Sequence, residues 1–362
     1  MPIIVEGKAR ITVSNGVFFN PVMKELRDLS VLFLNSCKAK PVTLLDSTAA
    51  TGIRGIRYYL ECGIKDITML DINRHSYLNA KRNVKLNKLP IKVINRSIQQ
   101  FSAIGSGKFD VIDLDPFGSP QPYIHELLRL SRDGTILMIT ATDTAVLCGA
   151  HERACYKTYN SKPLHNELCK EAGIRILINY LARTASQFNY GIEVMLSVSS
   201  LHYMRIFVRL AHGSGNAVDS VKRTGLGAYC HSCKSFEVKP GIAPIMEYKC
   251  RHCRHPLDAF GPLWLGPLYK NEIVSEIKKS KRLSGGSQKI IDVISQEFDT
   301  PLFYSIPSMT RSQHMGSVSH LSVIERLRKS GFRASGTQFD PNGVKTDSGV
   351  SGVIRAMKSK AL

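Results

Sequence analysis

Three groups of residues in the chain have types and spacings that could do chemistry. In "DLDPFGSP" (113–120) two carboxylates one residue apart end an apolar run, and a proline, an aromatic ring and turn formers follow. Side chains alternate along a strand, so Asp113 and Asp115 share one face while Leu114 takes the other. A strand that stops there delivers Asp115 and Phe117 to the edge of a sheet, where open α/β sheets place their ligands. The plainer reading is a strand-end turn whose aspartate caps the next helix. In "DSTAATGIRG" (46–55) the small residues between Asp46 and Gly52, Thr51 among them, let the backbone come close to a ligand before a helix begins. Asp71 follows 25 residues after Asp46, where an acid can accept both hydroxyls of a ribose or, more simply, cap the helix that "DINRHSY" starts. The turn is not of the Gly-Lys-Ser/Thr type, which disfavours nucleotide hydrolysis. The third group is Cys230-x2-Cys233 and Cys250-x2-Cys253, with sixteen residues between the pairs. Two such knuckles can set four thiolates around zinc, leaving no open position for a substrate, so the metal would be structural; redox chemistry is the competing use.

These groups need a frame. The runs 42–46, 67–70, 91–95, 109–114 and 135–140 are short and apolar and read as buried parallel strands. Between them "IRGIRYYLECG", "RHSYLNAKRNVKLN" and "YIHELLRLSRDG" have helical spacing. After a longer helical stretch, "GIEVMLSVSS" and "YMRIFVRL" are close enough to form an antiparallel pair. The expected fold is α/β, a seven-stranded doubly wound sheet. "AHGSGNAVDS" (211–220) has the composition of a linker-like turn, which divides the chain into 1–212 and 213–362, with the cysteine module over 226–258. "SVSHLSVIERLRKSGFRAS" predicts a helix closed by Gly331, and the residues after about Asp347 read as a fraying tail.

The chain carries 49 Lys and Arg against 29 Asp and Glu, a net charge of +20. The residues before Ala211 hold 27 of the cations and 17 of the acids, so the shorter second part is the more basic per residue and points to a polyanionic partner. The N-terminus has no apolar core of signal-peptide length, and the longest apolar stretch is interrupted by Asp143 and too short for a membrane span. Nine cysteines, five of them scattered, do not resemble a secreted disulfide framework. The expectation is an intracellular, cytoplasmic protein, monomeric and without a membrane partner.

A ribose-binding sheet of this kind could hold a dinucleotide or S-adenosylmethionine; the turn lacks the three-glycine pattern of a pyrophosphate site, and a terminal antiparallel pair favours the methyl donor. "FFNPVMKELRD", "DSTAATGIRGIR", "DLDPFGSP", "TATDTAVLCGAH" and "GFRASGTQFDPNGVKTD" together resemble the tRNA guanine-26 N2-dimethyltransferase family, over nearly the whole chain from Phe18 to Asp347. The resemblance implies a Rossmann-like, class I methyltransferase domain followed by a C-terminal α+β domain with a zinc-ribbon-like module that binds tRNA. It also implies transfer of one or two methyl groups from S-adenosylmethionine to the 2-amino group of a guanine in tRNA. By the same resemblance Arg27 and Arg54 hold the cofactor with Asp46, Thr51 and Gly52, Asp71 takes its ribose, Phe18 and Phe117 sandwich the base, and Asp115 is the catalytic carboxylate. The family has an acid after the third strand for the adenine amino group; "INRSIQQF" offers none, and Ser97 stands in its place. A DNA exocyclic-amine methyltransferase and a non-catalytic RNA-binding scaffold are the alternatives.

Overall fold

The computed structural model describes residues 2–105, 107–200, 203–281, 283 and 285–358. A short antiparallel hairpin, β1 (Ile4–Glu6) and β2 (Ala9–Ile11), precedes the helix Lys24–Ser36. The seven strands that follow are β3 (Thr43–Asp46), β4 (Asp66–Leu70), β5 (Lys92–Ile94), β6 (Phe109–Leu114), β7 (Ser131–Ala141), β8 (Tyr190–Ser199) and β9 (Met204–His212). They form one sheet in the order β5-β4-β3-β6-β7-β9-β8, in which the first five are parallel and β9 runs antiparallel to both neighbours. Each expected strand is present. Leu44, Leu45, Val111, Ile112, Leu137 and Ile139 are fully buried, which is why these segments read as continuous apolar runs. Among the described residues no helix is long and apolar enough to cross a membrane.

The order places the end of β3 between those of β4 and β6, so three acid-bearing strand ends open on one edge. The turn after β3 is shaped by Ala50 at φ 49° and Gly52 at φ 79°, and Gly52 opens the helix Ile53–Cys62. A side chain at Gly52 would be strained in that backbone region and would press on Ala80 and Met69.

Beyond the sheet the antiparallel strands β10 (Thr224–Tyr229), β11 (Phe236–Pro240) and β12 (Asp258–Trp264) lie in the order β11-β10-β12. A last small sheet joins β13 (Tyr304–Ser305), β15 (Gly343–Thr346) and β14 (Ala334–Ser335) in that order. The main hydrophobic core runs from the seven-stranded sheet into β12, through Phe260, Leu263 and Trp264, which pack against the helix Cys169–Ser186. The expected C-terminal helix is His320–Lys329, ended by Gly331 at φ 85°: the amide of Phe332 bonds to the carbonyl of Leu327 and that of Gly331 to Arg328.

Two expectations are corrected. The supposed linker is the helix Ser214–Lys222, and the supposed tail is the helix Val350–Lys358, which buries Val353, Ile354 and Met357. Lys345, in the motif "GFRASGTQFDPNGVKTD", does not face solvent. Its ammonium is buried between Glu171 and Glu297 at 3.0 Å from each and also donates to the carbonyl of Thr300.

Candidate active site and metal centre

The carboxyl edge of the sheet gathers Asp46, Asp71 and Asp115. Asp71 follows β4 and accepts the backbone amides of Ala50 and Asn73, both at 2.8 Å, so the acid braces the turn it faces; burial raises its carboxyl above the ordinary range. Asp46 is buried at the end of β3. One of its oxygens takes the amide of Gly55 at 3.2 Å and the other, Oδ1, has no hydrogen-bond partner. Burial, with the charge of Asp113 beside it, pushes its carboxyl up to about 7. Thr51 is buried, and its carbonyl accepts the side-chain amide of Asn83. A wall of small buried residues with one unpartnered carboxylate oxygen is a shape and a chemistry that a nucleoside bearing a cationic group fits.

At the end of β6, Asp113 is sealed in while the Asp115 side chain keeps 22% of its surface. Arg54 binds Asp115 side-on, with Nε 3.0 Å from Oδ2 and Nη2 on the same oxygen, and its Nη1 is 3.9 Å from Oδ2 of Asp113. The amide of Asp115 donates to Thr48 Oγ1 at 2.9 Å. Burial opposes the charge on Asp115, but the guanidiniums of Arg54 and Arg205 outweigh it and hold the carboxyl below the usual range. An ionised, partly accessible oxygen acceptor at a strand end results.

Beside it, Phe117 is 74% exposed and Phe18 51% exposed, and their rings meet edge to face with centroids 4.6 Å apart. The structure thus brings the two aromatics together, in a contact that must open before a flat ring can lie between them. The Phe117 loop is tied to the end of β7: Gly118 donates to Thr142 Oγ1 at 2.7 Å and the amide of Thr142 to the carbonyl of Gly118 at 3.0 Å. Ser119 shares a hydrogen bond with Tyr159, whose hydroxyl donates to Asp143.

Arg27 and Ser97 each make protein hydrogen bonds. Arg27 is buried in a bidentate pair with Glu6 and donates to the carbonyl of Asn20. Ser97 caps the helix Ile98–Ala103 in a reciprocal pair of bonds with Gln100. A cleft of about 560 Å³ lined by Thr43, Asp66, Lys92 and Phe109 lies at the opposite, amino ends of the strands, away from these carboxylates.

The four cysteines converge. Their Sγ atoms lie within 4.8 Å of one another, Cys230 and Cys253 at 3.4 Å and Cys233 and Cys250 at 3.5 Å. Each knuckle closes through an amide to the first cysteine's carbonyl, Lys234 to Cys230 and Arg254 to Cys250, with both donors at positive φ. Tetrahedral zinc with bonds of about 2.3 Å needs thiolates in this spacing, so the set fits that ion.

A sequence pattern described as N2,N2-dimethylguanosine tRNA methyltransferase matches residues 1–358. The chain belongs to this family. The tRNA (guanine(26)-N(2))-dimethyltransferase of Pyrococcus abyssi is 36% identical to it, covering 98% of each chain. That of Pyrococcus horikoshii is 35% identical over 98% of this chain and 97% of its own. A solved structure of Trm1 from Pyrococcus horikoshii, in complex with S-adenosyl-L-methionine, matches with a TM-score of 0.91 at 34% identity, covering 99% of this chain and all of the other. Within the family frame, sequence reasoning passed over Arg205, Tyr58, Thr142 and Tyr159. Arg205 did leave a signal: an arginine in the middle of the apolar run "YMRIFVRL" can be buried only against a partner.

Proposed function

We propose that this protein methylates the exocyclic 2-amino group of guanine 26 in tRNA, once or twice, with S-adenosylmethionine as methyl donor. The observation that carries the reading is the ionised Asp115, held by Arg54 beside the exposed ring of Phe117 at the carboxyl edge of the sheet, in a chain of this family. Asp46, Thr51, Gly52 and Asp71 would hold the cofactor, Asp71 at its ribose, and Arg54 adds a cation at that edge; when bound, the cofactor supplies an electrophilic methyl group. Arg27 and Ser97 would join this cofactor set from the positions their protein bonds hold them in.

The 2-amino group of guanine donates its lone pair into the ring and is a weak nucleophile. Asp115 accepts one N–H and the carbonyl of Pro116 the other, which turns the lone pair out of the ring plane and offsets the positive charge that grows on nitrogen. The proton lost after the new carbon–nitrogen bond forms passes to Asp115. A base stacked inside the tRNA cannot reach this edge, so it is extruded and stacked on Phe117, with Phe18 moving from its edge-to-face contact to cover the other side. The basic second part, 213–362, binds the tRNA body, and a zinc ion held by the four cysteines keeps β10, β11 and β12 in shape for that. The protein acts as a monomer.

Single-turnover transfer from labelled cofactor at saturating tRNA, followed by nucleoside analysis, tests this. Asp115→Asn should lower the rate of N2-methylguanosine formation by about 10²-fold or more with cofactor affinity little changed. A near wild-type rate would reduce Asp115 to a turn former.

A further inference from the structure

Asp113 and Asp115 compete for one guanidinium. Arg54 gives Nε and Nη2 to Asp115, while its Nη1, which has no hydrogen-bond partner, lies 3.9 Å from Oδ2 of Asp113. A buried carboxylate without compensation would draw that guanidinium toward itself, because charges in a poorly solvated interior attract strongly and an unpaired buried ion is costly. Two groups prevent this. From β9, Arg205 donates Nη2 to Asp113 Oδ1 at 2.7 Å and Nη1 to Thr140 Oγ1 at 2.6 Å, with both ion-pair side chains fully buried. From the helix Ile53–Cys62, the hydroxyl of Tyr58 donates at 2.5 Å to Oδ2, the very oxygen that faces Arg54.

We propose that Arg205, with Tyr58, is a positioning residue for methyl transfer: by satisfying Asp113 it leaves Arg54 to Asp115 and so fixes the direction and charge of the carboxylate that receives the amine proton. The proposal rests on Asp115 being that acceptor. Arg54 from the helix, Arg205 from β9 and Asp46 from β3 act on Asp115, Tyr58 and the same two guanidiniums act on Asp113 of its own strand, and Tyr203, just before β9, lies by both guanidiniums. Two guanidiniums thus serve three carboxylates. Without Arg205, one guanidinium is left between Asp113 and Asp115, and Asp115 is both turned and more easily protonated.

The test is the pH dependence of the single-turnover rate per folded enzyme, at saturating S-adenosylmethionine and tRNA, from about pH 3.5, low enough to reach the acid limb of a depressed carboxyl, to about pH 9. Arg205→Gln should be about 10-fold slower at neutral pH, with its acid limb displaced upward by about one unit. Adding Asp113→Asn to it should restore most of the rate, since the competitor for Arg54 is gone. A purely structural role would lower the folded fraction and leave the acid limb where it was. Tyr58→Phe, which removes one hydroxyl and no charge, covers the case in which Arg205→Gln does not fold; its limb should move the same way by a smaller amount. An unmoved limb in the folded variants, with Asp115→Asn inactive, overturns the role of Arg205 and leaves the acceptor reading standing. A near wild-type rate in Asp115→Asn overturns the acceptor reading and this one with it.

Discussion

At Asp46 a carboxyl sits where water cannot solvate its charge, next to another acid, and the two causes leave it half protonated near neutrality. The sign of its effect on stability follows. Its folded value of about 7 lies above the ordinary 3.8, so the folded chain binds this proton more tightly than the unfolded chain. The stability it contributes is fully present below about pH 4 and is lost as pH rises through about 7. Asp46→Asn keeps an oxygen for the amide of Gly55 and removes the titration. Its melting temperature relative to wild type should therefore rise between about pH 4 and 7 and level off above; a difference that stays constant with pH, measured by thermal melts, would place the proton elsewhere. Asp46, Asp71, Asp115 and Phe117 were legible because each stands at a fixed place after a strand that is itself legible. The partner of Arg205 and the role of Tyr58 were not, since their bonds to Asp113 exist only once β9 has paired with β7 and the helix Ile53–Cys62 has packed on the sheet. Spacing along the chain carries no trace of that pairing.

Elements show the same division between what a local pattern specifies and what packing adds. The parallel strands and the cysteine knuckles announce themselves, by unbroken apolar runs and by fixed ligand spacing. The helix Ser214–Lys222 does not, because Ser214, Gly215 and Asn216 are poor helix formers. It forms because it docks: Ala217 and Ser220 are buried, and the hydroxyl of Ser220 takes the amide of Ile192 in β8 at 2.7 Å. Val350–Lys358 is likewise fixed from outside, with Arg326 of the preceding helix donating to the carbonyl of Ala356. The sheet β11-β10-β12 has a different source of order. Its knuckles carry few apolar side chains around Cys230, Cys233 and Cys250, so metal binding and folding there are coupled. Elemental analysis should find about one zinc per chain. A strong chelator or Cys250→Ser should lower the melting temperature and loosen Phe236, whose ring packs on Tyr304 at 4.8 Å. Metal-free protein with an unchanged melt would show that the four thiols hold the module without an ion.

Over the whole molecule the excess of +20 is a surface property. The buried cations among the described residues are Arg27, Arg54, Arg57, Arg175, Arg205 and Lys345, and the buried carboxylates Glu6, Asp46, Asp113, Glu171 and Glu297 nearly cancel them. Affinity for tRNA should accordingly fall steeply with salt. Two cations of one motif should then separate in the same experiment. Arg333, exposed and paired with Asp347 at the surface, should take about one unit off the logarithmic salt slope when changed to Gln, if it meets a phosphate. Lys345→Met should leave the slope alone and instead cost about 3–5 kcal/mol of stability, because Glu171 and Glu297 lose their shared cation. A slope unmoved by Arg333→Gln would remove that side chain from the interface. The strand order also has a consequence for synthesis. β9 is the last strand of the main sheet to be made, yet it lies between β7 and β8. Until it has left the ribosome, β7 presents an open edge and Asp113 has no Arg205, however complete the cofactor turn already is. The nascent enzyme is thus able to shape its donor site well before it can finish its acceptor site.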